Sequence, residues 1–542
     1  MRPRNLDRLA SASYDLLIVG GGIHGLACAY EAASRGLHTA LVEAEDVGSG
    51  ASFNHQKTLH GGLRALQSLS LRRAREAVHE RRALARIAPW FLRPLPFIVG
   101  TYRSPTRSRL ALRAAFALDG WIARGRNEGL EPELHLPRAR LLSRTATVKL
   151  FPGVRRDHLT GGAQWYDYQM VENDRLTFAF AAAADRHGAD LATYAEARAA
   201  LRRNGRIEGL RVYDHLTGAD VEVRAGFIVN AAGAGAPDVM RLLELRRSWP
   251  LILAMNLVTS KPSAEIAAAA PDPHGRMLTR VPWRGGTIIG TAQSDQPVPP
   301  DRRTLDPQAV ARFISDANAA FPDLAVTSQD VTLVHRGLVP AVVQRAGTAC
   351  LLPASRIVDH ARDGLPNALS IAGAKYTTAR ATAERVVTLA GRRLGRSLRR
   401  SRTAVDVLPG AGIADHEGLA LETAARHGMD LEDGVIRHLT GRYADAAPEI
   451  IGIMAARAGL SAPVAAGIAT VGAEVVHAIR HEAAMRLADI VLRRTTLGAV
   501  GHPGADAVAT CASIAAGELG WDVARMQQEI AAVNHVYERI ES

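Results

Sequence analysis

Apolar and polar positions along the chain first predict a strand–helix–strand unit close to the N-terminus. Leu16–Val19 is a continuous apolar run typical of a buried strand, and Leu37–Val42 is a second run of the same kind. Between them, Ile23–Ser34 is rich in small residues and has helical spacing. A helical pattern rich in arginine follows at 71–88 and is stopped by Pro89.

The rest of the chain changes from strand patterns to helical patterns. Short strand patterns occupy 190–233, further strands separated by turns run from about 250 to 340, and a strand-to-helix transition comes at 368–390. After an arginine-rich hinge at 392–404, alanine-rich sequence with helical spacing follows. Because 542 residues are too many for one hydrophobic core, two or three domains are expected.

The composition argues against several classes of protein. The sequence has no run of eighteen or more apolar residues, so no segment is expected to span a bilayer. The first residues lack the apolar stretch of a signal peptide, and we therefore expect a cytoplasmic protein. Cys28, Cys350 and Cys511 lie far apart without a CxxC pair, which offers neither a disulfide framework nor a zinc site. No bound metal is expected.

The net charge of +12 is compatible with nucleic acid, an anionic membrane surface or an anionic substrate as partner. Arginine supplies 62 of the 66 basic residues, a skew that indicates compositional bias, and the sequence carries no nucleic-acid-binding signature. The same skew makes the few lysines informative. Lys57 and Lys375 fall in motifs described below, where a compact ammonium group is favoured over a guanidinium group.

The first motif is GGGIHG at 20–25, which directly follows the first strand and opens the helix. Glycines there permit a tight turn and let backbone N–H groups approach a pyrophosphate at the helix N-terminus. Glu43 ends the next strand, where a carboxylate accepts hydrogen bonds from a ribose. The pattern predicts a dinucleotide site with Gly20, Gly22, Gly25 and Glu43 as cofactor-binding residues.

The second motif is Phe227–Gly233, a buried strand pattern that ends in small residues. Such a strand can pass close beneath the same nucleotide, with Ala232 and Gly233 as further contacts. An N-terminal GxGxxG turn combined with a late AAG strand resembles the two-dinucleotide-binding flavoproteins. Simple NAD dehydrogenases of the Rossmann type have no counterpart of that strand.

The third motif is the run 49–64, which is dense in small, hydroxyl and glycine residues and suits a loop around phosphates and ribityl hydroxyls. Its glycine pair would bring backbone against a flavin ring, with a histidine as base and an arginine as cation beside it. The alternative is a glycine loop with a solvent-exposed histidine and arginine. The candidate site residues of this run are Ser52, Lys57, His60, Gly61, Gly62 and Arg64.

The fourth motif lies at 368–380, where a strand ends in Gly373 and a helix starts, with Thr377 and Thr378 as candidate N-caps. The N-terminus of that helix would stabilise the negative charge that gathers at N1 and O2 of a reduced flavin. Lys375 lies at the turn, where it can meet a phosphate or hydroxyl group of a substrate.

In this order, the motifs resemble the FAD-dependent, aerobic-type glycerol-3-phosphate dehydrogenases. The resemblance covers the chain from about Tyr14 to the C-terminus. Its segments are GGGIHG at 20–25, KTLHGGLRAL at 57–66, YDYQMVENDRLT at 166–177, the AAG strand, VPWRGGTIIGT at 281–291 and GAKYTTAR at 373–380. The helical tail adds Glu474, His477, Arg480, Glu482, Asp489 and LRRTTL at 492–497.

The resemblance implies an α/β FAD-binding Rossmann-like domain, an α+β substrate domain and an all-α C-terminal domain. The FAD-dependent oxidoreductase region would cover 14–400 and the helical domain 405–542. FAD-binding segments are expected at about 14–70, 160–245 and 345–395, and substrate segments at about 71–159 and 246–344.

By the same resemblance, the protein would oxidise the secondary alcohol of glycerol 3-phosphate, giving dihydroxyacetone phosphate. A base removes the hydroxyl proton while hydride passes to N5 of a non-covalently held FAD, and the electrons leave to a quinone or to oxygen. His60 is the expected base, and Arg64 and Lys375 match positions that hold substrate phosphate or hydroxyls. A homodimer and contact with the inner face of the cell membrane are compatible with the resemblance.

The chain departs from the family pattern at the expected substrate pocket. Ala65 stands where the family usually has Tyr, and Val339 stands where it has a phosphate-binding Arg. Arg336, three positions earlier, is the expected replacement. Loss of a bidentate contact should weaken binding of a phosphate dianion. A larger polyol phosphate or an unphosphorylated hydroxy compound therefore competes with glycerol 3-phosphate as the substrate.

Two other functions are kept open. One is an FAD oxidase of a non-phosphorylated hydroxy or amino compound that uses oxygen, and the helical C-terminal region argues against it. The other is a flavin-bound regulator or tRNA-modifying partner, suggested by an isoelectric point of about 10.1. Finally, residues 103–124 combine arginines with large apolar residues, which suits a helix lying in an anionic membrane interface. A core-facing helix with a solvated arginine face is the alternative.

Overall fold

The computed structural model describes residues 1–62, 70–103, 108–204, 206–246, 248–299, 306–344 and 347–538. In chain order, its strands are β1 (Ser13–Val19), β2 (Thr39–Val42), β3 (Thr58–Leu59), β4 (Leu92–Tyr102), β5 (Arg140–Leu142), β6 (Leu159–Met170), β7 (Asp190–Ala192), β8 (Ala195–Arg203), β9 (Arg206–Asp214), β10 (Asp220–Asn230), β11 (Leu251–Thr259), β12 (Ala267–Pro271), β13 (Met277–Trp283), β14 (Gly286–Gln293), β15 (Val331–Val343), β16 (Ala349–Leu351), β17 (Arg356–Asp359) and β18 (Ala368–Ala372).

The helices are α1 (Leu6–Ser11), α2 (Ile23–Ser34), α3 (Leu71–Ile87), α4 (Arg109–Ile122), α5 (Arg144–Leu150), α6 (Asn173–Arg186), α7 (Ala236–Leu242), α8 (Pro307–Ala320), α9 (Ala379–Arg393), α10 (His416–Arg426), α11 (Asp433–Tyr443), α12 (Ala447–Ala456), α13 (Gly472–Arg480), α14 (Leu487–Asp489), α15 (Ala505–Leu519) and α16 (Val523–Tyr537). A π-helical turn, Ile490–Arg494, follows α14 directly.

A mainly parallel sheet carries the predicted strand–helix–strand unit. Its strand order is β17-β18-β10-β1-β2-β7, and β9 joins β8 to β10. β1 lies between β10 and β2 and is parallel to both. One face of this sheet is covered by α2, α6 and α9, whose apolar residues share one core with β1 and β18. Parallel strands that are covered by helices are buried and have continuous apolar runs. This is why the two strands at 16–42 could be predicted from the sequence.

A second, mainly antiparallel sheet has the order β16-β15-β11-β14-β13-β12-β4-β6-β3, with β5 on β6. Helices α5 and α8 pack against it. β3, β6 and β16 belong to this sheet, and β16 pairs antiparallel with β15. The sequence assigns all three to FAD-binding segments, and that assignment stays a prediction.

The C-terminal region is helical, as the sequence predicts. Its helices α10 to α16 form two apolar clusters of their own. One helix also touches the second sheet, where Tyr537 of α16 packs against the cluster that contains Trp283. No helix in the described parts of the chain combines the length and apolar character needed to cross a bilayer.

Buried ion pairs join the helical domain to the first sheet. Asp46, in the loop after β2, has no exposed side-chain surface and bonds the guanidinium groups of Arg494 at 2.7 Å and Arg493 at 2.7 Å. Burial alone would raise the pKa of Asp46, but the charges of the two arginines hold it below its ordinary value. The resulting contribution to stability is present at neutral pH and is lost as the pH falls below about 4.

Substituting Asp46 by Asn should lower the free energy of unfolding by about 3–5 kcal/mol, because two buried arginines would lose the carboxylate that they share and keep only Asp489 and Glu482 as partners. Urea denaturation followed by far-UV circular dichroism measures this. The matched control is Asp433→Asn, since Asp433 pairs with Arg437 at 3.9 Å with both side chains largely exposed. Its unfolding midpoint should stay at the wild-type value. Equal losses in the two variants would contradict the role given to Asp46.

Candidate functional site

The glycine turn between β1 and α2 leaves a helix N-terminus open to an anion. Gly20 has a φ of +111°, and a Cβ on Gly25 would lie 1.8 Å from the Gly20 carbonyl oxygen. Both positions therefore require glycine. Gly22 is the N-cap of α2 and provides no side-chain hydrogen bond. Backbone N–H groups of the first turn other than that of Ile23 thus remain to bind a phosphate.

Two polar side chains flank this turn. The Ser52 hydroxyl accepts a 2.9 Å hydrogen bond from Ile23 N, and the Glu43 carboxylate accepts from the backbone N–H groups of Gly21 and Glu45. Burial raises the pKa of Glu43 to about 7, and the two N–H donors oppose that shift. An open helix N-terminus, a hydroxyl and an acidic acceptor match the pyrophosphate and ribose of a dinucleotide. The residues present therefore fit FAD.

The ends of β10 and β18 meet at the same turn. A Cβ on Gly20 would lie 2.6 Å from the oxygen of Ala231 and from Cα of Ala232, and a Cβ on Gly373 would lie 2.7 Å from Nδ1 of His24. The two late segments that the sequence assigns to the cofactor are thus brought to one edge of the first sheet. Next in the chain, Gly233 starts a short 3-10 helix with a φ of +57°.

The prediction of an N-cap is confirmed in position for Thr378 and is wrong for Thr377. Both are buried in a 3-10 turn, Tyr376–Thr378, through which the chain enters α9. Thr378 occupies the N-cap position of α9 without a side-chain hydrogen bond to it, and its carbonyl accepts a bond from the Thr382 hydroxyl. Lys375 precedes this turn and is exposed.

A histidine–aspartate pair forms where the two sheets meet. β3 is two residues long, but it pairs with β6 so that Leu59 lies opposite Tyr168. The residue that follows β3, His60, therefore lies beside Asp167, with 3.2 Å between His60 Nδ1 and Asp167 Oδ2. The His60 side chain is 45% exposed, whereas that of Asp167 is 5% exposed. The pair thus consists of a solvent-accessible imidazole next to a buried carboxylate.

Asp167 is held in its ionised form. Its carboxylate accepts hydrogen bonds from Gly61 N at 2.7 Å, from the indole of Trp165 at 3.3 Å and from the guanidinium of Arg81. Burial alone would raise its pKa, but the His60 hydrogen bond and the Arg81 charge hold that pKa below the ordinary value. An ionised Asp167 accepts only, so Nδ1 of His60 must carry the hydrogen.

This tautomer leaves Nε2 of His60 as the basic nitrogen. The Thr58 hydroxyl lies 3.0 Å from it and can donate to it. The ring also meets Phe97 edge to face at 5.6 Å. An exposed basic nitrogen with its ring fixed by a carboxylate and a hydroxyl is the arrangement expected of a general base.

The glycine pair has a packing reason of its own. A Cβ on Gly61 would lie 2.4 Å from a guanidinium nitrogen of Arg81, and a Cβ on Gly62 would lie 2.5 Å from backbone atoms of Ala74. Both contacts are with α3. The pair therefore lets α3 approach the loop, whether or not it also meets a flavin ring. Arg64 lies outside the described residues, as does Ala65.

Lys57 lies in the interior. It is 1% exposed, its ammonium donates to the carbonyl of Phe53, and it sits 4.3 Å from the centre of the Phe53 ring. Burial lowers its pKa to about 8. His335 lies next to it, also buried, and neither of its ring nitrogens has a hydrogen-bond partner among the described residues. The expected direct contact between Lys57 and the cofactor stays a prediction.

Arg336 and Val339 lie on opposite faces of β15. Along β15, successive side chains alternate between faces. The His335 ring packs against that of Phe53, in the loop after β2, with 5.2 Å between ring centres. His335 therefore lies on the face of β15 that is turned toward this loop. Arg336 lies opposite Met255, which packs in the cluster under α8 on the other face. Because Val339 shares the face of His335, Arg336 does not replace the guanidinium missing at Val339.

Sequence reasoning missed Asp167, Arg81 and Thr58. Asp167 lies within a motif used for the family resemblance, but its partner His60 is 107 positions away. Only the pairing of β3 with β6 joins them. An acid between aromatic residues in a predicted strand is the sequence feature that could have drawn attention to it.

Comparisons with known proteins cover almost the whole chain. A family model described as FAD dependent oxidoreductase matches residues 15–389, and one described as the C-terminal domain of alpha-glycerophosphate oxidase matches 401–526. Glycerol-3-phosphate dehydrogenase 2 of Mycobacterium tuberculosis is 29% identical, over 97% of this chain and 88% of that protein. The mitochondrial glycerol-3-phosphate dehydrogenase of Mus musculus is 30% identical, over 95% of this chain and 72% of that protein.

Among solved structures, a glycerol-3-phosphate dehydrogenase from Bacillus halodurans complexed with FAD has a similar fold. The TM-score is 0.78 at 21% identity, and the match covers 99% of this chain and 97% of that chain. An L-alpha-glycerophosphate oxidase from Mycoplasma pneumoniae with FAD bound matches at a TM-score of 0.52 and 17% identity, over 73% of this chain and 99% of that chain.

Replacing Glu43 by Gln should weaken FAD binding by roughly tenfold or more, because a charge-assisted acceptor contributes about 1.5–3 kcal/mol. Fluorescence of flavin released on dilution measures the affinity. With a pKa of about 7 for Glu43, wild-type affinity should fall as the pH drops through about 7.

Glu45→Gln, a change at an exposed position two residues away, is the control and should keep wild-type affinity. If Glu43→Gln binds FAD with wild-type affinity, or if its FAD affinity depends on pH as that of the wild type does, Glu43 does not contact the cofactor.

Proposed function

The chain belongs to the FAD-dependent glycerol-3-phosphate dehydrogenase family, and from this membership we propose that it oxidises the secondary alcohol of glycerol 3-phosphate or of a related polyol phosphate. The resemblance predicted from the motifs is confirmed, as are FAD as the cofactor and the helical C-terminal domain. The full-length relatives named above are dehydrogenases, which supports a dehydrogenase over the oxidase alternative.

The observation that carries the proposal is the His60–Asp167 pair. When bound, FAD supplies a hydride acceptor. The chain must then supply a base for the hydroxyl proton, and His60 Nε2 is the exposed basic nitrogen of the site. In the proposed reaction the substrate hydroxyl replaces the Thr58 hydroxyl as donor to Nε2. Asp167 then stabilises the imidazolium that forms, as a buried carboxylate does in other histidine bases.

The substrate phosphate is proposed to meet Lys375 and Arg64. Lys375 is exposed beside the end of β18, which lies at the glycine turn. Arg64 lies two residues after the His60–Gly62 segment, and its proposed role is based on its position in the sequence motif. Val339 and Ala65 replace an arginine and a tyrosine of the family pattern. We therefore expect this protein to distinguish glycerol 3-phosphate from larger polyol phosphates less strongly than a protein with the complete family pattern would.

The test is anaerobic bleaching of the oxidised flavin band by glycerol 3-phosphate, a larger polyol phosphate and free glycerol in parallel. The proposal expects bleaching by a phosphorylated polyol and none by glycerol. In Asp167→Asn, bleaching should slow by roughly 10²-fold or more, because the base loses its orientation and counter-charge.

The control is Asp157→Asn, at an acid whose side chain is 76% exposed and remote from His60. It should bleach at the wild-type rate. Reduction by an amino compound or by free glycerol, with no response to any phosphorylated polyol, would refute the substrate class. A wild-type rate in Asp167→Asn would refute the proposed base.

A peripheral membrane position is part of the proposal, with a quinone as the electron acceptor. Helix α4 buries a single residue, Ile122, within its fully described length. Leu110 is 79% exposed, Trp121 is 55% exposed and Leu118 is 36% exposed. A core-facing helix would bury these apolar residues, so the arrangement supports the interfacial alternative. Arg113 is exposed on the same helix, which suits an anionic lipid surface.

Binding to vesicles tests this position. The protein should co-sediment with vesicles that contain phosphatidylglycerol more than with pure phosphatidylcholine, and less at high salt. The double variant Leu110→Glu with Trp121→Glu should bind roughly tenfold more weakly, since it removes apolar area and adds negative charge. Val523→Glu, at a residue 67% exposed on α16, is the matched control and should bind like the wild type. Equal binding by all three proteins would exclude α4 as the membrane contact.

A further inference from the structure

Three side chains with metal-binding atoms meet in the helical domain, away from the flavin site. Glu449 lies in the first turn of α12, and His477 lies in the last turn of α13. His481 follows α13 directly, four positions after His477. That spacing puts both imidazoles on one side of the helix end, where their rings stack at 5.0 Å with an angle of 13° between planes.

Their distances suit ligands around one ion. Oε2 of Glu449 lies 3.7 Å from Nδ1 of His477 and 3.6 Å from Nδ1 of His481. One ligand atom from each residue falls within 4.8 Å of the others. The separations are too long for hydrogen bonds. They are close to the roughly 3.3–3.5 Å between ligand atoms of a tetrahedral ion with bonds of about 2.0–2.1 Å.

His477 provides an independent reason to expect a ligand. Its side chain is 2% exposed, and its Nδ1 has no hydrogen-bond partner in the part of the chain that the structure describes. A buried polar nitrogen without a partner is costly. The atom points toward the Glu449 carboxylate, into the space between the three side chains.

The other ring nitrogen of His477 is oriented as in metal-bound histidines. Its Nε2 lies 3.3 Å from Oε1 of Glu482, which is 2% exposed. The Glu482 carboxylate also forms an ion pair with the buried guanidinium of Arg175. A carboxylate that accepts a hydrogen bond from Nε2 places the hydrogen there and leaves the lone pair on Nδ1. Carboxylate–histidine–metal arrangements have this form.

We infer that Glu449, His477 and His481 form a binding site for a divalent transition metal, with Zn²⁺ the ion of choice. Two imidazole nitrogens and one carboxylate oxygen suit zinc better than magnesium or calcium, which prefer oxygen ligands alone. Glu449 and His481 are about half exposed, so an ion can enter and keep water in its remaining position. The expectation of no metal rested on cysteine spacing, and this site uses no cysteine.

The ion would connect the start of α12 to the end of α13. Through Glu482 and its ion pair with Arg175, the connection continues to α6 of the first domain. None of the three ligands belongs to the machinery proposed for alcohol oxidation. The site therefore has a structural role, separate from the flavin chemistry.

The test uses untagged, FAD-containing protein freed of metal by a chelator. Titration with Zn²⁺ in a calorimeter should show one equivalent bound, and Co²⁺ should give the visible absorption of a tetrahedral site. Glu449→Gln and His481→Ala should each weaken Zn²⁺ binding at least tenfold. Both residues are largely exposed, so these variants should fold normally, which thermal unfolding without metal checks.

The matched controls are Glu417→Gln and His427→Ala. Glu417 lies in the first turn of α10 and His427 is its C-cap, so they repeat the positions of Glu449 and His481 on another pair of helix ends. Both controls should bind Zn²⁺ like the wild type. Absence of saturable binding in the wild type, or wild-type affinity in both Glu449→Gln and His481→Ala, would overturn the inference.

Discussion

The buried carboxylate of Asp46 is the constraint on which the site depends. It lies three residues after Glu43, at the start of the loop that carries Ser52 and His60. Its partners Arg493 and Arg494 come from the helical domain. A buried charge must be paired, so the loop is fixed at its start by a domain that donates none of the predicted site residues. The helical domain thus supports the cofactor site without lining it.

The reactive part of the site is assembled from both sheets. The glycine turn and Glu43 belong to the parallel sheet, whereas Asp167 belongs to the antiparallel one. A two-residue strand, β3, joins them by pairing with β6. Because the register of that pairing fixes which side chains are neighbours, a shift by one residue would turn His60 away from Asp167. The carboxylate that orients the base is thereby provided by the antiparallel sheet.

Features of the fold that depend on a local residue pattern were predicted from the sequence. α2 was placed at its observed bounds because its small residues and preceding glycines are specific to a tight strand-to-helix turn. Asp167 was missed because its role follows from strand pairing over a long separation. Thr378 was correctly placed at the N-cap of α9, but a 3-10 turn precedes the helix and the threonine side chain does not cap it. Propensity does not distinguish such a start from a side-chain-capped one. Arg336 was expected to replace a missing guanidinium three positions away, but alternation along β15 puts it on the other face.

The separation between Asp46 and its arginines also bears on how the protein is made. Those residues are 447 and 448 positions apart, so the loop after β2 has no counter-charge until nearly the whole chain has left the ribosome. Domains usually fold as units from the N-terminus during synthesis. Here the first βαβ unit can form early, but its cofactor loop must wait for the last helices. The nascent flavin domain therefore depends on the helical domain for completion of its cofactor loop.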